Sequence, residues 1–77
     1  MNRFADYFSH YVNDDTITYI GNGDLSSFTV SRQNRELTVG VSFDSFVDYA
    51  VIDNAQNQIA QAMELKKVHL KPRFPKS

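Results

Sequence analysis

A chain of 77 residues, 42% hydrophobic and without cysteine, must close its core without disulfides, at a size where folding buries only about 60% of the unfolded surface. No apolar run near the N-terminus is long enough for a signal peptide or a membrane helix, so a reducing, cytoplasmic setting with no membrane partner is expected. The net charge of −1 conceals a polarity: residues 1–65 set Arg3, Arg32 and Arg35 against all nine acids, while Lys66, Lys67, Lys71, Arg73 and Lys76 make the end of the chain basic. Such asymmetry suits an acidic partner or nucleic acid, and it equally suits simple balance against an acidic body.

Phe4, Tyr7, Phe8, Tyr11 and Val12 recur at helical spacing and predict one amphipathic helix over about 2–12. Asn13, Asp14 and Asp15 end it with turn-forming residues, and after the short apolar stretch 17–20 the run Gly21-Asn22-Gly23-Asp24 is a second break. Ile17 and Ile20 are expected to cover one end of the core. Phe28 and Val30, then Leu37, Val39, Val41 and Phe43, alternate with period two and predict antiparallel strands over 26–31 and 37–43. The polar turn 32–36 joins them, with Asn34 the residue best suited to a left-handed backbone.

Asp44 and Ser45 offer hydrogen-bond acceptors to a helix start, with Asp48 one turn in, where the helix dipole favours an anion. A long helix is expected from there to about Leu65. Its inner stripe would be Val47, Ala50, Val51, Asn54, Ala55, Gln58, Ile59, Ala62 and Met63, the alanines allowing close approach to a sheet. A last strand over 66–73 places Val68 and Leu70 on one side and Lys67, His69, Lys71 and Arg73 on the other, with Pro72 marking an edge or the strand's end.

The order helix, strand, strand, helix, strand describes an α+β fold: a three-stranded sheet with two helices on one face, residues 1–74 forming one small domain and 75–77 the start of a linker. Two strand orders satisfy a right-handed crossover, 2-1-3 all antiparallel or 1-2-3 with one parallel pair. By strand parity the uncovered sheet face should carry Ser27, Thr29, Ser31, Thr38, Gly40, Ser42, Lys67, His69, Lys71 and Arg73. That face is rich in hydroxyls, basic along one edge, and lacks the aromatic side chains on which an RNA-recognition sheet stacks bases.

From about Tyr19 to Phe74 this arrangement resembles the extreme N-terminal domain of PolC-type DNA polymerase III, the replicative polymerase of low-GC Gram-positive bacteria. The residues that carry the resemblance are the glycine turn and first strand Gly23-Asp24-Leu25-Ser26-Ser27-Phe28-Thr29-Val30 and the polar, basic turn from Ser31 to Arg35. They continue with the alternating strand ending in Phe43-Asp44, the long helix, and the basic strand running into Leu70-Lys71-Pro72-Arg73-Phe74-Pro75. Two features depart from the family pattern: Glu36 and Leu37 stand where a more basic turn and an aromatic are usual, and no Leu-Pro pair opens the helix between Phe43 and Phe46. The resemblance implies a truncated fold similar to a type II KH domain and to the polymerase-binding end of the clamp-loader tau subunit. It implies a non-catalytic accessory domain whose parent carries DNA synthesis and 3′–5′ proofreading elsewhere, and a replisome protein as partner: the tau subunit or another polymerase domain. Gly21 and Gly23 do not form the Gly-x-x-Gly loop with which KH domains grip nucleic acid.

No residue set reads as an active site. Asp44 and Asp48 complement a helix dipole and, with Asp53, make a weak case for a metal; His10 and His69 fall on different elements, and no Ser, His and Asp order suggests a nucleophile relay. The Gly-Asn-Gly-Asp run precedes a strand and so lacks the helix start that holds phosphate. No cofactor is expected. Three readings remain: a protein-docking domain of a polymerase; a single-stranded nucleic-acid-binding module using Lys66, Lys67, His69, Lys71 and Arg73 with Arg32 and Arg35; and a free-standing small adaptor.

Overall fold

The computed structural model describes residues 3–75. The expected helix start at Asn2, and Lys76 and Ser77 of the basic tail and linker, lie outside them. Among the described residues the elements are α1 (Phe4–Phe8), α2 (Asp14–Ile20), β1 (Asp24–Ser31), β2 (Glu36–Ser42), α3 (Tyr49–Ala62) and β3 (Lys67–Arg73), an α+β fold with three helices rather than the expected two.

The single helix over 2–12 is replaced by two short ones. Asn13, read as a break, is the N-cap of α2: its side-chain oxygen accepts from the backbone N–H of Thr16 at 2.9 Å, and Asp14 and Asp15 fill the first turn, where anions complement the dipole. The signals for a stop and for a start are the same residues here. Ile17 and Ile20 therefore sit on a helix, Ile20 buried in the core and Ile17 packed against it.

Helix α1 has only five residues and borrows its stability. The backbone N–H of Arg3 donates to Asp6 Oδ2 at 3.1 Å, and the amides of Phe4 and Ala5 donate to the carbonyls of Gly23 and Gly21 at 2.8 and 3.1 Å, satisfying donors that a helix start leaves open. Phe4 and Phe8 are buried one turn apart, ring centroids 4.9 Å from each other. Tyr7 and Tyr11, expected on the same inner face, are exposed.

The sheet order is β1-β2-β3, antiparallel between β1 and β2 and parallel between β2 and β3, which resolves the two strand orders open from sequence. In the hairpin turn the left-handed residue is Arg35, at φ 56°, and not Asn34. Asn34 instead donates its backbone N–H to Ser31 Oγ at 3.4 Å.

The long helix starts later than Asp44 or Ser45. Asp48 is its N-cap, with Oδ1 accepting from the Ala50 N–H at 2.8 Å, while Phe46 packs its ring against Phe74 with centroids 5.1 Å apart. The chain passes over both expected caps, and Asp48, expected one turn inside the helix, opens it instead. The buried stripe of α3 is Ile52, Ala55 and Ile59; Ala50, Asn54, Ala62 and Met63, expected inside, are exposed, and Ile52 was not expected there. These three positions, spaced three and four apart, share a face, one turned from the expected stripe so that Ile52 is inside and Asn54 outside.

The core is Phe4, Phe8, Ile20, Leu37, Val39, Val41, Ile52, Ala55, Ile59, Val68 and Leu70. It lies between the helices and the β2 and β3 half of the sheet. Helix α2 is fixed to α3 by Gln58, whose Oε1 accepts the Asn13 N–H at 2.7 Å and whose Nε2 donates to the buried Thr16 hydroxyl at 3.1 Å.

Candidate protein and nucleic-acid surfaces

Register fixes which side chains share the uncovered face. Leu25 opposite Val41, Phe28 opposite Val39 and Val30 opposite Leu37 lie on the helix side, as do Val68, Leu70 and Pro72 opposite Leu37, Val39 and Val41. The other side carries the rows Ser31–Glu36–Lys67, Thr29–Thr38–His69, Ser27–Gly40–Lys71 and, at the far end, Asp24–Ser42–Arg73. All ten residues assigned to this face by parity are on it, joined by Glu36 and Asp24, and none of these is aromatic. A bulge between Leu25 and Ser27 restores the phase of β1 so that the alternation holds at both ends.

The basic candidates divide into two groups. Lys67, His69, Lys71 and Arg73 repeat every second residue along β3, on the uncovered side, so that neighbours stand about 6.6 Å apart. Lys66, Arg32 and Arg35 gather at one end of this row, because the carbonyl of Arg35 accepts the backbone N–H groups of Lys66 and Lys67 at 2.8 and 3.4 Å. The Arg35 guanidinium donates to the carbonyl of Glu64, which makes this arginine a staple between the hairpin turn and the end of α3 as well as an exposed cation. His69 is half-buried, and Glu36 stands beside Lys67 in the first row, tempering its field.

Two apolar features escaped the sequence reading. Phe46 and Tyr49, 69% and 59% exposed, cluster around Phe74 with Phe43: centroid distances to Phe74 are 5.1, 6.4 and 5.8 Å for Phe46, Tyr49 and Phe43. Along β1, Phe28 and Val30 are 51% and 54% exposed. Phe28 stacks on Phe8 at 6.2 Å and approaches Tyr7 at 6.5 Å. Period two correctly placed Phe28 and Val30 on the helix side, but a signal of that kind cannot show that the helices cover β1 only in part. The shortness of the apolar helical segments is the clue, since one long helix about 10 Å across covers two strands 4.8 Å apart and not three.

Among the described residues no group of three or more His, Cys, Asp or Glu side chains could hold a metal ion, and no helix is long and apolar enough to cross a membrane. Asp48 is occupied as a helix cap and Asp53 accepts from Gln56 Nε2 at 3.2 Å. Neither the curated proteins nor the solved structures provide a match to this chain. A family model does: the one described as DNA polymerase III polC-type N-terminus I matches residues 3–71, from the start of α1 into β3. The matched stretch takes in all three helices, the hairpin and most of the parallel strand, and on that extent the chain belongs to the family of PolC-type DNA polymerase III N-terminal domains.

Proposed function

We propose that this is a non-catalytic interaction domain of a cytoplasmic PolC-type replicative polymerase, docking a protein of the replisome, with DNA synthesis and proofreading carried by other parts of the parent enzyme. The observation that supports it most is the gathering of exposed aromatics around Phe74, because large aromatic side chains concentrated in one patch are what protein interfaces bury at their centres. The partner chemistry that fits is an apolar groove or helix face. The clamp-loader tau subunit, or another domain of the polymerase, is the partner that the family implies.

Titrating the polymerase-binding end of tau into the labelled domain tests this. Shifts should concentrate on Phe43, Phe46, Tyr49 and Phe74, and Phe46→Ser with Tyr49→Ser should weaken binding by about 2 kcal/mol or more. Binding that is indifferent to this pair of substitutions would refute docking at the aromatic cluster.

The row Lys67, His69, Lys71 and Arg73 on one face favours a second reading, contact with the phosphates of single-stranded DNA. With three full cations engaged, the logarithm of affinity should fall with that of salt at a slope of about −2, or roughly 20-fold between 50 and 200 mM salt. Replacing Lys67, Lys71 and Arg73 by Glu should abolish binding. Absence of a Gly-x-x-Gly loop leaves this backbone contact as the mode of binding, rather than the grip of a typical KH domain.

A further inference from the structure

The two edges of the sheet are treated differently. On β3 the Leu70 N–H, which points away from β2, is taken by Gln56 Oε1 of α3 at 2.8 Å; Pro72, two residues on, has no N–H to offer; and Lys67, Lys71 and Arg73 add charge. These are the devices by which proteins close an edge against further strands. On β1 the run Leu25-Ser26-Ser27-Phe28-Thr29-Val30-Ser31 has no charge and no proline. Helix α1 touches Phe28 through Phe8 and Tyr7 yet leaves Phe28 and Val30 half exposed. The bulge at Ser26 interrupts the strand near its start and leaves 27–31 as a regular, open edge.

We propose that β1 pairs with β1 of a second copy of this chain, antiparallel about a two-fold axis at Thr29, forming one continuous six-stranded sheet. The sequence of this edge is its own complement. Read in opposite directions about Thr29, Ser27 faces Ser31 of the second copy and Phe28 faces its Val30. Hydroxyls thus meet hydroxyls on the uncovered face, and apolar side chains meet on the helix side. Cross-strand pairs of these kinds are the ones that stabilise antiparallel sheets, and a two-fold contact must be self-complementary in this sense. Tyr7, half exposed beside Phe28, borders the joined apolar strip and widens the contact beyond the strands. The uncovered face then doubles in width, with a basic β3 row along each outer edge. This pairing does not rest on the docking reading, because the aromatic cluster around Phe74 lies on other residues.

Sedimentation equilibrium of the 77-residue chain from micromolar to millimolar concentration should show a monomer–dimer equilibrium. Thr29→Lys places two ammonium groups opposite each other at the axis and should weaken the dimer about tenfold or more. The chain has no cysteine, so a single introduced thiol reports the register cleanly. Thr29→Cys should form an intermolecular disulfide on mild oxidation, since directly opposed residues fall within disulfide reach. A mixture of Ser27→Cys and Ser31→Cys chains should cross-link as a mixed dimer, whereas Gln33→Cys, at the hairpin tip, should not. A chain that stays monomeric at millimolar concentration, a dimer unmoved by Thr29→Lys, or cross-linking through Gln33→Cys as fast as through Thr29→Cys would each overturn the proposal. None of these outcomes bears on whether tau binds.

Discussion

Gly23→Ala should destabilise the domain in a way that Gly40→Ala does not, although a new Cβ finds atoms at a similar distance in both places. Neither glycine has a positive φ, so the backbone accepts alanine and only space decides. At Gly23 the added methyl would fall inside contact with Val41 Cγ1 and 2.6 Å from Phe43 Cε1, well short of an ordinary van der Waals contact. Val41 is fully buried and fixed in the central strand, and Phe43 is stacked on Phe74 at 5.8 Å. Overpacking of this kind costs about 1–3 kcal/mol, offset by about 0.4–1 kcal/mol from the reduced freedom of the unfolded chain. The net loss of about 1–2 kcal/mol corresponds to a Tm lower by roughly 5–15 °C for a domain of this size. At Gly40 the methyl would meet the hydroxyls of Ser26 and Ser27, each at 2.6 Å; both serines are on exposed positions and can rotate away. The main loss there is the hydrogen bond from Gly40 N–H to Ser27 Oγ, 3.1 Å long, worth about 1 kcal/mol and largely offset by the gain in strand propensity and unfolded-state entropy. Thermal and urea melts of the two variants beside the parent decide the matter. Equal Tm losses, or a larger loss at Gly40, would refute the argument that rigidity of the neighbours sets the cost.

Glu64 occupies the left-handed position after α3, at φ 54°, where Leu65 N–H reaches back to the Ala60 carbonyl at 2.8 Å in the pattern that normally ends on glycine. Glu64→Gly should therefore raise stability by about 0.5–1 kcal/mol, seen as a higher urea midpoint, because the relief of left-handed strain exceeds the added freedom of the unfolded glycine. Asp48→Ala removes the N-cap acceptor of α3 and should cost about 1 kcal/mol, whereas Asp44→Ala, outside the helix, should leave the midpoint within about 0.5 kcal/mol of the parent. Gln58→Met strands the buried Thr16 hydroxyl and returns the exposed Asn13 amide to water, so a loss of about 1–3 kcal/mol and faster amide exchange in α2 are expected, with β2 amides less affected.

Periodicity made the sheet legible: the alternation of Phe28, Val30, Leu37, Val39, Val68 and Leu70 places the residues after the β1 bulge on their correct faces, down to the basic row on β3, whereas the bulge that turns Leu25 inward has no signal in the alternation. Where hydrogen-bonding residues carry the signal, reading is harder. Asn13-Asp14-Asp15 serves a helix start as well as it serves a stop, and moving the cap from Asp44 or Ser45 to Asp48 requires knowing that Phe46 packs on Phe74. Arg35 takes the left-handed position in place of Asn34 because its carbonyl and guanidinium are both engaged, with Lys66, Lys67 and Glu64, contacts with residues about thirty positions later that no local pattern contains. The basic candidates were visible from charge alone. The exposure of Phe28 was invisible for the opposite reason, since an aromatic in a regular pattern is read as core until the covering helix is seen to end, while Phe46 and Tyr49 fall outside every periodic stripe and gather around Phe74.

The dependence of α1 on the carbonyls of Gly21 and Gly23 sets an order of assembly. A five-residue helix has no stability of its own, and the acceptors it needs exist only once the turn between α2 and β1 is in place. The hairpin can form from local contacts, the parallel β2–β3 pair must wait for α3 to cross over, and α1 closes last, carrying Phe4 and Phe8 into a sheet already built. The reverse path is then the easiest opening of the folded domain: release of residues 3–8 as a unit, uncovering the Phe28 edge while β2, β3 and α3 stay together. Amide exchange at Phe4 and Ala5 would report that opening, with a free energy below that of global unfolding.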